Sequence, residues 1–320
     1  MRVRLIPTGQ AELGGLGSGL SRLFPGHTFE TVPQRVDPDG SKVPFDSFTS
    51  ARLRPSLMPG NLKKLVEKLA SEVYPGRKGD PADLAVLIDD LELENADQPA
   101  LVVAAVQAAV REHLEELARI SGARMADKVS EALRSRASFH LAAPMIEAWF
   151  YADNESLKTA SVPETRLPPL LREGIDLEAF ETSDPAFSAD DGSGCTELKA
   201  RNARRPNQKP ERACWVLPSR PDLPAYCRER HPKAYLAWLC RDPGHRRCST
   251  YQESKHGAAA LASLNWSALL SNPSGCTWAR ALVQDLAEAL GSPVTPFPEG
   301  SEQPLVSRAA ATSPRVLRNV

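Results

Sequence analysis

The sequence predicts an α/β fold in which a mostly parallel, Rossmann-like sheet is flanked by helices and followed by a helical, loop-rich C-terminal part. Three short segments are predicted to be strands: Arg2–Ile6, whose apolar residues are Val3, Leu5 and Ile6, then Leu84–Ile88 and Ala137–Ala143. The last two are apolar runs typical of strands that are buried on both faces. Segments with apolar residues at helical spacing separate these strands. Strands that alternate with helices in this way indicate a parallel sheet.

Composition sets limits on the partners. The chain has 320 residues and a formal net charge of −1, so a nucleic acid or a membrane would have to be met by a local patch of charge. No apolar run approaches the ~18 residues of a membrane helix, and the basic N-terminus leads into only a short strand. We therefore expect a cytoplasmic protein with neither a membrane span nor a secretory signal.

The first strand is followed by a cluster of glycines. Gly14–Gly19 lies in a helix predicted over 12–24, and glycines after a strand can let a backbone approach a phosphate. A dinucleotide fingerprint places its glycines in the turn itself and an acid at the end of the second strand, whereas Thr28–Val32 ends without one. We expect these glycines to serve close helix packing or flexibility rather than a cofactor site.

The next buried strand runs directly into acids. Asp89, Asp90, Glu92 and Glu94 follow Leu84–Ile88, and ligands of open α/β sheets bind outside the carboxyl ends of the strands. Carboxylates crowded there repel one another unless they are protonated, solvated or bound to a cation. We predict that the first three hold Mg²⁺ (or Mn²⁺) and that the fourth is solvated. A solvated loop that caps the next helix is the alternative.

The third buried strand also ends near a carboxylate. Ala137–Ala143 leads to Pro144, which suits the first turn of a helix, and Glu147 stands among apolar residues in that turn. An acid in a first turn also complements the helix dipole, so a structural role for Glu147 is the alternative to a functional one. His140, inside the strand, is expected to be a hydrogen-bonded core residue rather than a ligand.

A polar, proline-rich stretch over 154–223 contains a basic run. Such runs grip nucleic-acid phosphates, and a neighbouring aromatic residue such as Trp215 can stack on a base. A solvated loop with incidental charge is the alternative. The candidate nucleic-acid-binding residues are Lys199, Arg201, Arg204, Arg205, Lys209 and Arg212.

All six cysteines lie in the C-terminal half. Without a secretory signal, we expect free thiols or a metal site rather than disulfides. Zinc is not favoured, because the spacing of the candidate ligands is loose and a C-x2-C pair is lacking. Those candidates are Cys227, His231, Cys240, His245 and Cys248.

The remaining apolar periodicity predicts further helices, and 33–56 is expected to be loop-like. The helices are predicted at 59–74, 99–120, 125–134, 226–239, 257–270 and 278–290. We divide the chain into an α/β core (1–155), a proline-rich basic insertion (156–223), a helical part that packs on the core (224–290) and a partly disordered tail (291–320).

Several motifs together resemble a family of uncharacterised TOPRIM-like proteins of bacteria, relatives of the TOPRIM domains of topoisomerases, primases and OLD-type nucleases. Thr8–Glu12 is similar to a glycine-containing strand-to-helix turn with a glutamate. Leu87–Glu92 is similar to the aspartate-rich metal motif, and Pro144–Asp153 to a proline–glutamate–alanine–tryptophan helix start. His231–Lys233 and Tyr251–Gly257 are weaker likenesses, to a proline-lysine helix start and a tyrosine-and-acid turn.

The resemblance covers roughly 1–155 and 225–270, and it implies a TOPRIM-like fold with a metal site. A TOPRIM site has its first glutamate directly at the strand end, where Pro7 and Thr8 stand here. Glu12 can take its place if the helix turns it back toward Asp89. Members of the family are often encoded near ATPases or mobile-element defence genes, which implies antiviral defence and an ATPase partner.

These features predict a metal-dependent nuclease or related phosphoryl-transfer protein that acts on DNA or RNA. The metal would polarise a phosphodiester, Glu12 or Glu147 would act as general base, and the basic run would bind flanking phosphates. One alternative is a catalytically inactive TOPRIM-like interaction subunit of an ATPase or nucleic-acid complex. Another is a small-molecule nucleotide enzyme that uses the glycine cluster.

Overall fold

A four-stranded parallel sheet lies at the centre of the computed structural model, in the order β2-β1-β5-β6. The structure describes residues 1–55, 57–77, 79–168, 176–218, 220–223, 226–271 and 275–292. β3 and β4 form a separate antiparallel hairpin. The strands are β1 (Arg2–Pro7), β2 (Thr28–Thr31), β3 (Arg35–Val36), β4 (Lys42–Val43), β5 (Leu84–Asp90) and β6 (Ala137–Ala142). The predicted α/β class with a parallel sheet flanked by helices is confirmed.

Helices connect and cover these strands. They are α1 (Gln10–Leu23), α2 (Gly60–Val73), α3 (Pro99–Ser121), α4 (Ala123–Arg136), α5 (Asn154–Thr159), α6 (Pro185–Ala189), α7 (Thr196–Ala203), α8 (Pro232–Leu239), α9 (Ala258–Ala262), α10 (Trp266–Leu270) and α11 (Thr277–Leu290). A 3-10 helix, Ile146–Ala152, follows β6, and a π-helical turn, Glu253–Gly257, leads into α9. Within the described ranges, no helix is both long and apolar enough to cross a bilayer.

Two predicted helices differ from the structure. The helix expected over 226–239 begins only at Pro232, whose ring suits a first helical position and cannot continue a ladder from the residues before it. The helix expected over 257–270 is divided into α9 and α10, because the Asn265 side chain accepts a hydrogen bond from the Ala268 N–H and starts a new helix there. The turn after Pro144 is 3-10 rather than α-helical.

The sheet separates two hydrophobic cores, and β5 contributes to both. Val86 and Ile88 pack into a core shared with α1 and with α8 to α11, whereas Leu87 packs into a core shared with α2, α3 and α4. This division follows from the strand itself, because successive side chains point to opposite faces. Consecutive acids at the end of β5 must therefore also face opposite sides.

The C-terminal half packs on the first of these cores. Phe187, Leu198 and Trp215 of the predicted insertion are buried in the same apolar cluster as β1, β5 and α11. The polar, proline-rich stretch over 154–223 contains the short helices α5, α6 and α7. The segment boundaries at 155, 223 and 290 stay predictions, and the predicted tail lies outside the described residues beyond residue 292.

The glycine cluster of α1 is a packing surface. A Cβ at Gly15 would lie 2.1 Å from the Ala258 carbonyl oxygen, and one at Gly19 would lie 2.6 Å from the Leu261 carbonyl oxygen. Glycine therefore lets the backbones of α1 and α9 approach each other closely. The expectation of close helix packing is confirmed, and α9 covers the glycine face that a nucleotide phosphate would need.

One disulfide corrects the expectation of free thiols. Cys195, at the N-cap of α7, is bonded to Cys248 across 53 residues of sequence. Sequence spacing could not show this pairing, because a disulfide depends on the approach of the two Cα atoms in the fold. The free cysteines among the described residues are Cys214, Cys227, Cys240 and Cys276.

Gly15→Ala should destabilise the protein, because its methyl group would press on the backbone of α9, which cannot move aside as a flexible side chain could. We expect a loss of about 1–3 kcal/mol in the free energy of unfolding, measured by urea denaturation. Gly60→Ala is the matched control, since Gly60 begins α2 with open space around it. That variant should be unchanged or more stable by up to ~1 kcal/mol. Equal stability of the two variants would contradict the packing role.

Candidate functional site

The carboxyl ends of β1, β5 and β6 meet at one edge of the sheet, and acidic side chains gather there. They come from the first turn of α1, the end of β5, the 3-10 helix after β6 and the π-helical turn, while α8 adds a lysine. We call these residues the carboxylate cluster: Glu12, Asp90, Glu92, Glu147, Lys233 and Glu253. The position is the one at which ligands of open α/β sheets bind.

Glu12 folds back over the strand-to-helix turn. A Cβ at Gly9 would lie 2.2 Å from Glu12 Oε2, so the glycine makes room for the carboxylate. The side chain is 1 % exposed, and neither of its oxygens has a hydrogen-bond partner among the described residues. Burial, and next the charge of Glu253, raise the pKa of Glu12 to about 8. Glu12 thus faces Asp90, whose pKa its charge raises, rather than Asp89, toward which it was expected to turn.

Asp90 and Glu92 continue the cluster beyond β5. Asp90 Oδ1 accepts a hydrogen bond of 2.9 Å from the Ile146 N–H, which ties the end of β5 to the 3-10 helix. Burial, followed by the charges of Glu12 and Glu92, raises the pKa of Asp90 well above its usual range. Glu92 has a φ of +59°, in the left-handed region that non-glycine residues rarely adopt, and burial raises its pKa to about 8. Such strain concentrates at functional sites.

Lys233 offsets part of this negative charge. Its Nζ lies 2.5 Å from Glu253 Oε2 and 3.5 Å from Glu147 Oε1. Burial opposes the charged ammonium, but Glu147 and Glu253 outweigh burial and hold the pKa of Lys233 well above its usual range. Burial likewise opposes ionisation of Glu253, yet Lys233 keeps the pKa of Glu253 below its usual range. The pair is therefore ionised.

Glu147 is held from one side only. Its Oε1 accepts a hydrogen bond of 3.1 Å from the Tyr251 hydroxyl, whereas Oε2 is buried without a hydrogen-bond partner among the described residues. Burial raises the pKa of Glu147, while Lys233 opposes that rise. The dipole role weighed for an acid in this turn does not account for these contacts, because they join Glu147 to the C-terminal part of the chain.

Asp89 faces the opposite side of the sheet. Its Oδ2 accepts a hydrogen bond of 3.2 Å from the Phe48 N–H, and its Oδ1 is hydrogen-bonded to the Thr8 hydroxyl and to the Asp90 N–H. Burial raises the pKa of Asp89 to about 6. Asp89 is predicted from the sequence to bind the metal together with Asp90 and Glu92, but the alternation of side chains along β5 separates it from Asp90. Its contacts tie the loop around Phe48 to the ends of β1 and β5.

Lys233, Tyr251 and Glu253 were assigned no role from sequence. Both of the weaker family-like motifs, His231–Lys233 and Tyr251–Gly257, contribute to the cluster. These two motifs are the signal in the sequence that points to Lys233, Tyr251 and Glu253, although Lys233 and Glu253 lie far along the chain from β5. Only the packing of α8 and α9 against α1 and the 3-10 helix brings them to the sheet edge.

Comparison with known proteins gave no match. This holds for protein-family models, for curated proteins and for solved structures. Any function must therefore be argued from the residues of the site and from the motifs that carry them.

The donor atoms of the cluster suit a hard divalent cation. Three buried carboxylate oxygens, Oε1 and Oε2 of Glu12 and Oε2 of Glu147, have no hydrogen-bond partner within the described residues. Uncompensated buried carboxylates are costly, and oxygen ligands are those that Mg²⁺ prefers. In the part of the chain that the structure describes, however, no three His, Cys, Asp or Glu side chains already stand in an arrangement that could hold a metal ion. An ion would have to draw the acids together.

Four of the five candidate zinc ligands have other partners, and for Cys240 and His245 these are the Ala160 carbonyl and the Arg247 N–H. Cys248 is in the disulfide with Cys195. His231 accepts a hydrogen bond of 3.2 Å from the Ala234 N–H through Nδ1 and so caps α8. Burial lowers the pKa of His231 to about 4, so this imidazole is neutral.

The basic run lies on α7 and in the segment after it. Arg201 forms an ion pair with Glu211, and Arg205 Nη1 lies 3.7 Å from the same carboxylate. Trp215, expected to stack on a base, is 3 % exposed and donates from Nε1 to Asp190. That expectation is wrong, since a buried indole presents no face to a nucleotide. The remaining members of the run, Lys199, Arg204, Lys209 and Arg212, are exposed.

Glu12→Gln should make the protein relatively more stable as the pH rises. The folded pKa near 8 exceeds the ordinary 4.5, so the stability associated with protonated Glu12 is present below pH 4.5 and is lost as the pH approaches 8. Glutamine at this position does not titrate, so the variant does not lose this stability as the pH rises. Its advantage over the wild type should grow between pH 5 and pH 9 to at most about 5 kcal/mol, by urea denaturation without divalent ions.

Lys233→Gln serves as the control of opposite sign. Loss of the ammonium leaves Glu147 and Glu253 uncompensated, so this variant should be less stable than the wild type at pH 8. The deficit should shrink as the pH falls, because without the lysine both buried carboxylates become protonated. A pH-independent difference for both variants would show that these side chains do not form one electrostatic unit.

Proposed function

We propose that the chain is a metal-dependent nuclease, or a related phosphoryl-transfer enzyme, that acts on DNA or RNA. The observation that carries the proposal is the group of buried carboxylate oxygens without partners at the carboxyl edge of a parallel sheet. A TOPRIM-like fold is part of the proposal. It is supported because each of the three main motifs contributes to one cluster, through Glu12, through Asp90 with Glu92, and through Glu147.

In this proposal, Asp90 and Glu92 hold Mg²⁺ (or Mn²⁺), with Glu12 and Glu147 beside them. When bound, the ion polarises the phosphodiester and offsets the charge that develops on its oxygens. Asp89, the other predicted ligand, supports Asp90 from the opposite face through its bond to the Asp90 N–H. The left-handed backbone at Glu92 directs the chain away from β5 just after these acids.

Glu12 and Glu147 are the candidates for a general base. A base must have an oxygen free to take a proton from the attacking water, and both residues have one. Tyr251 and Lys233 fix Glu147 through its other oxygen, which orients the free one. Lys233 also holds Glu253, whose Oε1 accepts a hydrogen bond of 2.9 Å from the Gln10 N–H at the start of α1.

A second candidate function is that of an inactive interaction subunit in an ATPase or nucleic-acid complex. The observation in its favour is that Lys233 already compensates two of the carboxylates, while no three ligands are arranged for an ion among the described residues. A role in antiviral defence suits either candidate. This second function requires a stable complex with the partner from the native host and no metal binding.

Asp90→Asn should abolish metal-dependent cleavage. We expect the wild type to cleave plasmid DNA or RNA with Mg²⁺ and the variant to lose about 100-fold or more of that rate, since even outer-shell partners of a metal cost 10–100-fold. Glu155→Gln is the matched control, because Glu155 is an exposed acid whose ion-pair partner is Lys158, at 2.9 Å. It should retain the wild-type rate.

A thermal-shift series with Mg²⁺ separates the two candidate functions. Binding to the folded state alone raises its stability by about 2.7 kcal/mol at 100 times Kd, so the wild type should melt at a higher temperature with Mg²⁺. Asp90→Asn should not respond. A wild type that shows neither stabilisation nor cleavage, and yet forms a stable complex in pull-downs from the native host, would contradict the nuclease and support the interaction subunit.

A further inference from the structure

A groove of about 970 Å³ opens beside the carboxylate cluster. Four parts of the chain line it: the start of α1, the β3–β4 hairpin, the loop His245–Arg247 and the turn Gln252–Ser254. We call this space the basic groove. It is distinct from the basic run on α7, which does not line it.

The cations of the basic groove are available to a ligand. Lys42, Arg246 and Arg247 are exposed, and none of them forms an ion pair within the described residues. The two acids of the groove are already compensated, because Asp37 pairs with Arg35 at 2.9 Å and Glu253 pairs with Lys233 at 2.5 Å. The groove therefore presents a positive surface although the chain as a whole is almost neutral.

The two arginines stand on a fixed backbone. The Cys248 N–H donates to the His245 carbonyl at 2.7 Å, and the Cys195–Cys248 disulfide joins the loop to α7. Arg201 of α7 also donates to the Arg246 carbonyl at 3.0 Å. Little ordering of this backbone remains to be done on binding, which favours affinity.

The groove and the carboxylate cluster share a wall. Glu253 lines the groove and at the same time contacts Lys233, which in turn reaches Glu147 in the cluster. Gln10 also lines the groove and donates its N–H to Glu253. The groove therefore adjoins the carboxylate cluster, and a strand whose phosphates lie in the groove would extend toward these acids.

The groove offers charge but no stacking platform. None of its described lining residues is Phe, Tyr or Trp, and His245 supplies the one ring among them. Binding there would depend on phosphates, which all sequences share, rather than on bases.

We propose that the basic groove binds the phosphodiester backbone of a nucleic-acid strand, with Lys42, Arg246 and Arg247 on successive phosphates. The inference deepens the proposed function and rests on it for the direction of the strand toward the carboxylate cluster. It assigns phosphate recognition to the loop His245–Arg247, which the Cys195–Cys248 disulfide joins to α7, rather than to the basic run of α7.

The salt dependence of binding tests this assignment. Binding of a fluorescein-labelled oligothymidylate is measured by anisotropy in EDTA, between about 50 and 200 mM salt, where each phosphate contact contributes about −0.7 to the slope of log K against log[salt]. Arg246→Gln/Arg247→Gln should reduce the slope by about 1.4, and Lys42→Gln by about 0.7. A matched double variant of the basic run, Lys199→Gln/Arg204→Gln, should leave it unchanged. Oligouridylate as a second probe distinguishes RNA from DNA.

A wild-type slope for Arg246→Gln/Arg247→Gln would overturn the proposal, as would loss of slope in the α7 variant alone or the absence of any binding. Asp90→Asn separates the two proposals, since it should bind with the wild-type slope. Arginine-dependent binding without Mg²⁺-dependent cleavage supports the groove and refutes the nuclease. Cleavage that Arg246→Gln/Arg247→Gln leaves intact refutes the groove and supports the nuclease.

Discussion

The parallel register of β1, β5 and β6 is the constraint on which the site depends. Asp90 pairs with Ala142, so β5 and β6 end level, and β1 ends two residues short of them at the same edge, where Pro7 pairs with Ile88. β5 itself ends in Asp90, and the connections after β1 and β6 each contain an acid five residues on, Glu12 and Glu147. Lys233 of α8 and Glu253 of the π-helical turn come to the same edge from the C-terminal part. The backbone hydrogen bonds of the sheet fix the register of the strands, and this register brings the acids to one edge.

This arrangement is stable only because the sheet is anchored elsewhere. Burial raises the pKa of Glu12, Asp90 and Glu92, which means that their ionised forms oppose folding. Two apolar cores, one on each face of the sheet, supply the compensating free energy, and Lys233 removes part of the repulsion. The positive φ of Glu92 likewise opposes folding. A cation bound at this edge would offset the repulsion between the ionised carboxylates and so stabilise the folded state.

Local patterns in the sequence were sufficient to predict the sheet and most of its acids. The apolar runs in β5 and β6 are short and uninterrupted, and Val3, Leu5 and Ile6 mark β1. An acid ends β5, and another follows each of β1 and β6 within five residues. The distinction between Asp89 and Asp90 could not be predicted, because it depends on which face α1 covers. Lys233 and Glu253 could not be placed for a different reason. The bond from Gln10 to Glu253 spans 243 residues, and no local pattern encodes such a contact.

The close contact of α1 with α9 has a consequence for biosynthesis. Glu12 leaves the ribosome long before Glu253 and α9, which follow β6 in the chain. At roughly 5–20 residues per second, the chain between Asp90 and Glu253 takes on the order of ten seconds or more to be made. During that interval the glycine face of α1 has no cover, and the acids at the sheet edge lack Lys233 and the Arg246–Arg247 loop. A nascent chain thus carries Glu12 and Asp90 before Lys233 and Glu253 can join them, and the carboxylate cluster stays incomplete until α8 and the turn before α9 have been made.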